Sequence, residues 1–259
     1  MRTGFIVKSS RLLRQALLLG GVLLLNALSG CASDGNDEQV SARVLYEKAK
    51  TSMEYGQFET AIGHFESLES RFPFSAYALQ AQLALAYAYY RFGQPDRAIV
   101  QADRFIRMNP THPNVDYAYY LKGLANFERE KGFFDSWFPR DPADFELKPL
   151  QDAFHDFGKL VERFPSSVYA ADAHRRMIYL RNELAEHEIK VAEFYLKRKA
   201  YIAAANRANG VLELFSETHS TQRALEILAE AYNNVNLPDQ AAITNQVLMF
   251  NKTATTTDK

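Results

Sequence analysis

Gly56-Gln57-Phe58-Glu59-Thr60-Ala61 and Gly93-Gln94-Pro95-Asp96-Arg97-Ala98 have one form, and Asn236-Leu237-Pro238-Asp239-Gln240-Ala241 repeats it. Each is a turn followed by a small residue five positions after its start. Beyond the small residue the likeness continues. Ala61, Phe65, Leu68 and Pro73 are spaced by 4, 3 and 5 residues, and the same spacing links Ala98, Ala102, Phe105 and Pro110. It returns in Ala153, Phe157, Leu160 and Pro165, and in Ala204, Ala208, Val211 and Ser216, where Ser replaces Pro. Steps of 4 and 3 place three residues on one helix face. The small first residue admits the backbone of a neighbouring helix, and Pro ends one helix and opens the next turn. Each unit is a helix pair that cannot bury its apolar face alone, so neighbours must stack into a continuous core.

This pattern resembles the tetratricopeptide repeat, whose period is 34 residues. Ala49, Gly56, Phe58, Ala61, Phe65, Leu68 and Pro73 fall in register with that family's small and large positions. So do Ala86, Gly93, Ala98, Ala102, Phe105 and Pro110, and then Gly123 with Ala153, Phe157, Leu160 and Pro165. The step from Ala61 to Ala98 is 37 residues, slightly longer than the norm. The fold class is therefore read as all-α: a tetratricopeptide-repeat solenoid of five helix pairs over residues 41–252. Helices are expected near 41–55, 58–71, 75–92, 95–108, 114–131, 147–163, 167–198, 200–215, 219–234 and 238–250. The polar tail 253–259 is predicted disordered.

Two segments depart from the repeat. An insertion at about 132–149 carries five aromatics, including Trp137, the chain's one tryptophan, and Phe138. Long loops of this kind are often functional. Its aromatics either plug the solenoid's own surface or dock a partner. The stretch 167–198 contains no Gly or Pro and keeps helical apolar spacing through Met177, Leu180, Leu184, Val191 and Tyr195. As one helix it would project beyond its neighbours or bridge the two halves of the array.

The first thirty residues have another character. Lys8, Arg11 and Arg14 precede an apolar run from Ala16 to Leu28, which is far shorter than the ~20 residues a membrane-spanning helix needs. It reads as the core of a signal peptide. The chain's single cysteine, Cys31, directly follows Leu28-Ser29-Gly30, where lipoprotein processing attaches a diacylglyceryl group. Residues 31–40 read as a lipidated flexible tether. Ala32, where Asp would favour retention at the inner membrane, implies sorting to the outer membrane with the body in the periplasm.

Composition narrows the function. The formal net charge is −1, with 30 basic and 31 acidic residues. Removing Arg2, Lys8, Arg11 and Arg14 with the signal peptide leaves 26 basic residues against 31 acidic, a net −5. Nucleic acid has no electrostatic footprint here. No Gly-x-Ser-x-Gly, phosphate-cradling glycine loop or His-Glu-x-x-His occurs, and the six histidines are scattered. The sequence is read as having no catalytic residues, no metal site and no cofactor.

The lipobox, the five pairs and the placed insertion together resemble the BamD family of β-barrel assembly lipoproteins over about residues 41–250. Phe72-Pro73, Arg140-Asp141-Pro142, Lys159-Leu160-Val161 before Phe164-Pro165, and Ala205-Asn206-Arg207 carry the match. Ser216, where the family commonly has Pro, and Lys199, where it commonly has Gly, depart from it. The resemblance implies a non-enzymatic scaffold, anchored through Cys31 on the periplasmic face of the outer membrane. It implies binding to BamA, through that partner's POTRA domains, to BamC and BamE, and to unfolded outer-membrane proteins. In this repeat class the first helices line a concave groove. By register that groove takes Tyr46, Lys50, Leu83, Tyr87, Tyr90, Arg91, Tyr117, Tyr120 and Leu124, suited to a peptide with an aromatic end and a carboxylate. Simple interhelix packing of the tyrosines stands beside that reading. Asn206 and Arg207 are the leading candidates for docking BamA, against an intramolecular salt bridge of Arg207. Competing readings are another outer-membrane repeat lipoprotein, such as a type IV pilus pilotin, or a regulator of peptidoglycan enzymes.

Overall fold

The computed structural model describes residues 42–129 and 147–257. The readings of Cys31, the signal peptide and the tether lie outside those residues, as do Trp137 and Phe138. Ten helices are described: α1 Ala42–Glu54, α2 Phe58–Arg71, α3 Ala76–Arg91, α4 Pro95–Met108, α5 Val115–Arg129, α6 Leu147–Arg163, α7 Ala170–Lys197, α8 Tyr201–Leu214, α9 Thr221–Asn234 and α10 Pro238–Thr257. Each helix packs on the one before it and the one after it, as a solenoid requires. The described residues contain no strand.

The spaced positions found in the sequence form the core. Ala61, Phe65 and Leu68, then Ala98, Ala102 and Phe105, then Ala153, Phe157 and Leu160, and finally Ala204, Ala208 and Val211 are all fully buried. Each buried Phe or Leu of these sets contributes about 1.5–3 kcal/mol relative to exposure. Ala49, Ala86 and Ala192 lie twelve residues before the leading alanines and are buried as well. Gly123 takes the same place on α5, ahead of the insertion, and shows why this position is small. A Cβ added there would stand 2.6 Å from Cε1 of Phe157, so α5 and α6 meet with the ring of Phe157 against bare backbone.

Turns within pairs share one hydrogen-bond pattern. The backbone N–H of Gln57 donates to Ser52, that of Gln94 to Tyr89, that of Ala200 to Tyr195 and that of Leu237 to Tyr232, at 2.8–3.0 Å. This is the cap in which one residue turns left-handed to close the helix. That residue is Gly56 (φ 71°), Gly93 (φ 75°), Lys199 (φ 61°) or Asn236 (φ 59°). Lys199 therefore occupies a conformation that glycine adopts without steric cost. Turns between pairs also repeat. The N–H of Ser75, His112, Ser167 and Thr218 donates to the carbonyl of Phe72, Asn109, Phe164 and Phe215 respectively, at 2.9–3.1 Å. Ser216 thus keeps the turn that Pro73, Pro110 and Pro165 occupy elsewhere, with the Thr221 hydroxyl donating to its carbonyl at 2.8 Å.

The long helix is continuous. Its 28 residues span ~42 Å at 1.5 Å per residue. Ala173, Leu180 and Leu184 of α7 belong to the core of the middle pairs. Ala185, Ile189 and Ala192 belong to that of the C-terminal pairs. Of the two expected roles, α7 bridges the halves of the array. Helix α6 begins at residue 147 as its spacing predicts, so Leu147–Pro149, at the end of the insertion, form its first turn with Pro149 buried. One boundary differs from the sequence reading. The tail expected to be disordered from residue 253 is helical through Thr257, because no Gly or Pro after Pro238 stops the helix. These features make the described residues a tetratricopeptide-repeat array.

Lys199→Gly relieves the left-handed strain, and we expect a gain of about 0.5–1 kcal/mol in urea unfolding. Gly123→Ala drives a methyl into the Phe157 ring and should cost about 1–3 kcal/mol in the same assay. A neutral Gly123→Ala would contradict the close approach.

Candidate functional site

The first helices of the pairs face a common wall, and their tyrosines set its chemistry. Between α1, α3 and α5 lies an open cleft of about 530 Å³. Tyr46, Leu83, Tyr87 and Tyr117, all expected in the groove, line it together with Leu79, Gln80, Ala84, Phe105, His112 and Asn114. Apart from His112 and the tyrosine hydroxyls no ionisable group lines the cleft, so it suits an aromatic or aliphatic side chain flanked by amides. Tyr46 is backed by Tyr77 at 5.6 Å and Phe65 at 6.1 Å between ring centroids. Phe105 meets the His112 ring edge-on at 5.1 Å. Such pairs hold ring orientation beyond simple area burial.

Arg91 sits beside this cleft. It donates from Nη1 to the Tyr87 hydroxyl at 2.7 Å, and its guanidinium lies 4.9 Å from the centre of the Phe58 ring. The side chain is exposed, so a fixed, hydrated cation stands next to a cleft-lining hydroxyl. Lys50 is exposed on α1 and does not line the cleft. Tyr90, Tyr120 and Leu124 act mainly in interhelix packing. Tyr90 donates to Glu128 at 2.6 Å, and Leu124 packs on the core of the middle pairs. Burial pushes the Tyr90 and Tyr117 phenols well above their ordinary range, and the Glu128 carboxylate beside Tyr90 adds to this. Both therefore remain neutral hydrogen-bonding groups.

Tyr120 leads to a cluster the sequence reading missed. It stacks on Tyr169 at 4.9 Å with planes 19° apart, and Tyr117 lies 5.2 Å from the same ring. The Tyr120 hydroxyl donates to Asp172 at 2.7 Å, and Arg176 Nε donates to the same oxygen at 2.6 Å. The hydrogen bonds from Arg176 and Tyr120 hold the Asp172 carboxyl down at about 2. The signal in the sequence is an Asp-Arg pair four apart at the start of a long helix. Its partner Tyr120 lies 52 residues away, which periodicity alone does not reveal.

Behind the wall, Asp156 is 2% exposed and accepts from Asn126 at 2.8 Å and from Lys122 at 3.1 Å. Lys122 also reaches Asp103 at 2.9 Å, tying α4, α5 and α6 together. Burial raises the Asp156 carboxyl despite the Lys122 charge. Burial works against the Lys122 ammonium, yet the two carboxylates raise it. At the C-terminal pairs Asn206 and Arg207 are exposed on α8. Arg207 forms an ion pair with Glu188 of α7 at 3.0 Å. The intramolecular bridge weighed for Arg207 therefore exists, and the guanidinium is still about half exposed. No group of three or more His, Cys, Asp or Glu among the described residues is placed to hold a metal ion, and no described helix is long and apolar enough to cross a membrane.

The fold and wall define a repeat array with an aromatic cleft. The family model described as YfiO, outer membrane lipoprotein, matches residues 38–248. The outer membrane protein assembly factor BamD of Vibrio cholerae is 40% identical over 234 residues, covering 90% of this chain and 97% of that protein. BamD of Neisseria meningitidis serogroup B is 42% identical over 232 residues, covering 87% of each. A solved tetratricopeptide repeat protein from Parabacteroides merdae is 17% identical with a TM-score of 0.39, covering 94% of this chain and 90% of that one. The chain belongs to the BamD family of outer membrane lipoproteins.

The Asp172 cluster gives a pH signature. A carboxyl depressed to about 2 stabilises the fold fully above about pH 4, and that contribution is lost as pH falls towards about 2. Asp172→Asn should be destabilising at neutral pH, with the difference from the unaltered chain shrinking across that window in chemical denaturation. A difference independent of pH would refute the assignment.

Proposed function

We propose that this chain is an outer membrane protein assembly factor acting as a non-enzymatic scaffold. Cys31 anchors it to the periplasmic face of the outer membrane. It binds BamA, through that partner's POTRA domains, together with BamC and BamE, and it recognises unfolded outer-membrane proteins. The observation that carries this reading is the aromatic cleft between Tyr46, Tyr87 and Tyr117, set in a chain about 40% identical to BamD proteins over nearly its whole length.

The physical logic is one of binding rather than bond-breaking. A barrel strand ending in an aromatic residue and a carboxylate places its ring in the neutral cleft and its charge at Arg91. Ring packing and a charge-assisted hydrogen bond then act together. Anchoring raises the effective concentration of scaffold and membrane-embedded partner, so a modest contact suffices. The exposed α8 surface around Asn206 and Arg207 serves BamA, with Glu188 holding the guanidinium ready. Trp137 and Phe138 of the insertion supply a further docking element.

Affinity purification from solubilised membranes tests the assignment as a whole. Recovery of a large barrel protein with POTRA domains supports it. Recovery of a secretin, a pilus component or a cell-wall synthase would overturn it. For the cleft, Tyr87→Ala combined with Arg91→Ala should weaken binding of a barrel C-terminal peptide at least about tenfold, equivalent to 1.4 kcal/mol. Unchanged affinity rejects the groove. For docking, Arg207→Glu should lose BamA in a pull-down while Glu188→Gln retains it, and full retention by Arg207→Glu excludes α8 as the contact.

A further inference from the structure

A helical-hairpin array has two long edges. Along the first three pairs one edge holds the turns within pairs, at Gly56 and Gly93. The other holds the turns between pairs, at 72–75, 109–114 and 164–169. The long α7 carries the C-terminal pairs off these edges: the turn at 215–220 meets the middle of α7, where Glu217 pairs with Arg181 at 2.8 Å. Because α1 runs towards Gly56, its N-terminus at Ala42 lies on the second edge. The two edges are separated by the length of a 13–16-residue helix, ~20 Å or more at 1.5 Å per residue.

The between-pair edge exposes apolar side chains at its tips. Phe74 is 100% exposed and Val168 85% exposed, each in a turn. The last helical residue of α2, α4 and α6 is Arg71, Met108 and Arg163, so exposed basic and apolar residues alternate along the edge, once per pair. Aromatic rings support both arginines: Arg71 lies 5.7 Å from the centre of Phe72, and Arg163 lies 5.6 Å from Tyr119 and 5.7 Å from Phe164. The residues one position earlier, Ser70, Arg107 and Glu162, are turned by about 100° from this row.

We propose that the between-pair edge is a lipid-contacting surface, with Phe74 and Val168 seated at the headgroup–acyl boundary of the membrane. The inference rests on the reading of Cys31 as a lipid anchor. Ala42 lies eleven residues beyond Cys31, so the tether spans at most ~40 Å at 3.3–3.6 Å per residue. The tether joins the chain at the α1 end of this edge, which is therefore the edge nearer the anchor, with the opposite edge a helix length further along the chain. Arg71 and Arg163 suit phospholipid phosphates, to which a guanidinium can donate two parallel hydrogen bonds. Phe74, Met108 and Val168 suit the shallow apolar layer beneath, where interfacial residues bury by about 5–10 Å. A single lipid anchor gives firmer attachment when a second, weaker surface acts with it. The contact would also orient the array, turning the within-pair edge towards the periplasm.

The test uses the lipidated full-length protein in vesicles of phosphatidylethanolamine and phosphatidylglycerol carrying brominated acyl chains. In a Trp137→Phe background, single Phe74→Trp, Val168→Trp and Tyr55→Trp variants place the reporter on either edge. Tyr55, 75% exposed on the within-pair edge, is the control. The expected result is that tryptophan at 74 and 168 loses about half its emission, as for an interfacial residue, while that at 55 keeps nearly all of it. Equal emission from the three positions on vesicles that retain the protein overturns the edge and leaves the anchor standing. Mass spectrometry of the N-terminal peptide is the separate readout: an unacylated Cys31 overturns the anchor and this proposal with it.

Discussion

The array depends on helices approaching one another at small residues. Ala49 with Ala61, and Ala192 with Ala204, are fully buried in their clusters, while Gly123 leaves no room for even one methyl beside Phe157. A larger side chain at these points would hold the helices apart and expose the Phe and Leu residues that follow. Close approach comes first in the physics, because dispersion falls off steeply with a gap of even a fraction of an ångström. The continuous core then follows from repetition rather than from any one contact.

On that frame α7 has a second duty. One face of its first half completes the middle core, and one face of its second half begins the C-terminal core. The cleft and the exposed Arg207 surface therefore sit towards opposite ends of a single uninterrupted helix. Asp172, near its start, joins it to the aromatic wall through Tyr120. Glu188, in its second half, holds Arg207. Substrate recognition and partner docking, as proposed, are mechanically joined by one element rather than by a loop.

Much of the fold is legible because repetition is a strong signal. The spacings at Ala61, Ala98, Ala153 and Ala204 identify the core without reference to any contact, and Gly, Asn and Pro mark the turns. The departures disturb little. Lys199 and Ser216 keep the turn geometry of their counterparts because the surrounding hydrogen bonds, not the residue type, dictate it. The end of α10 is harder to read, since its polar residues suggest disorder where nothing breaks the helix. The candidate site is legible only in part. Register places Tyr46, Leu83, Tyr87 and Tyr117 on the wall. It does not separate them from Tyr90, Tyr120 and Leu124, whose side chains turn into neighbouring helices.

The sequence by itself determined the all-helical repeat, the order of the pairs and the buried set, since each depends on spacing along the chain. Tertiary structure alone decided that the long helix is unbroken, which tyrosines face the cleft, that Asp172 is held by Tyr120, and that Arg207 answers to Glu188. Those last two are meetings between residues 52 and 19 positions apart. They depend on how far each pair rotates against the next, an angle set by side-chain packing and written in no local pattern.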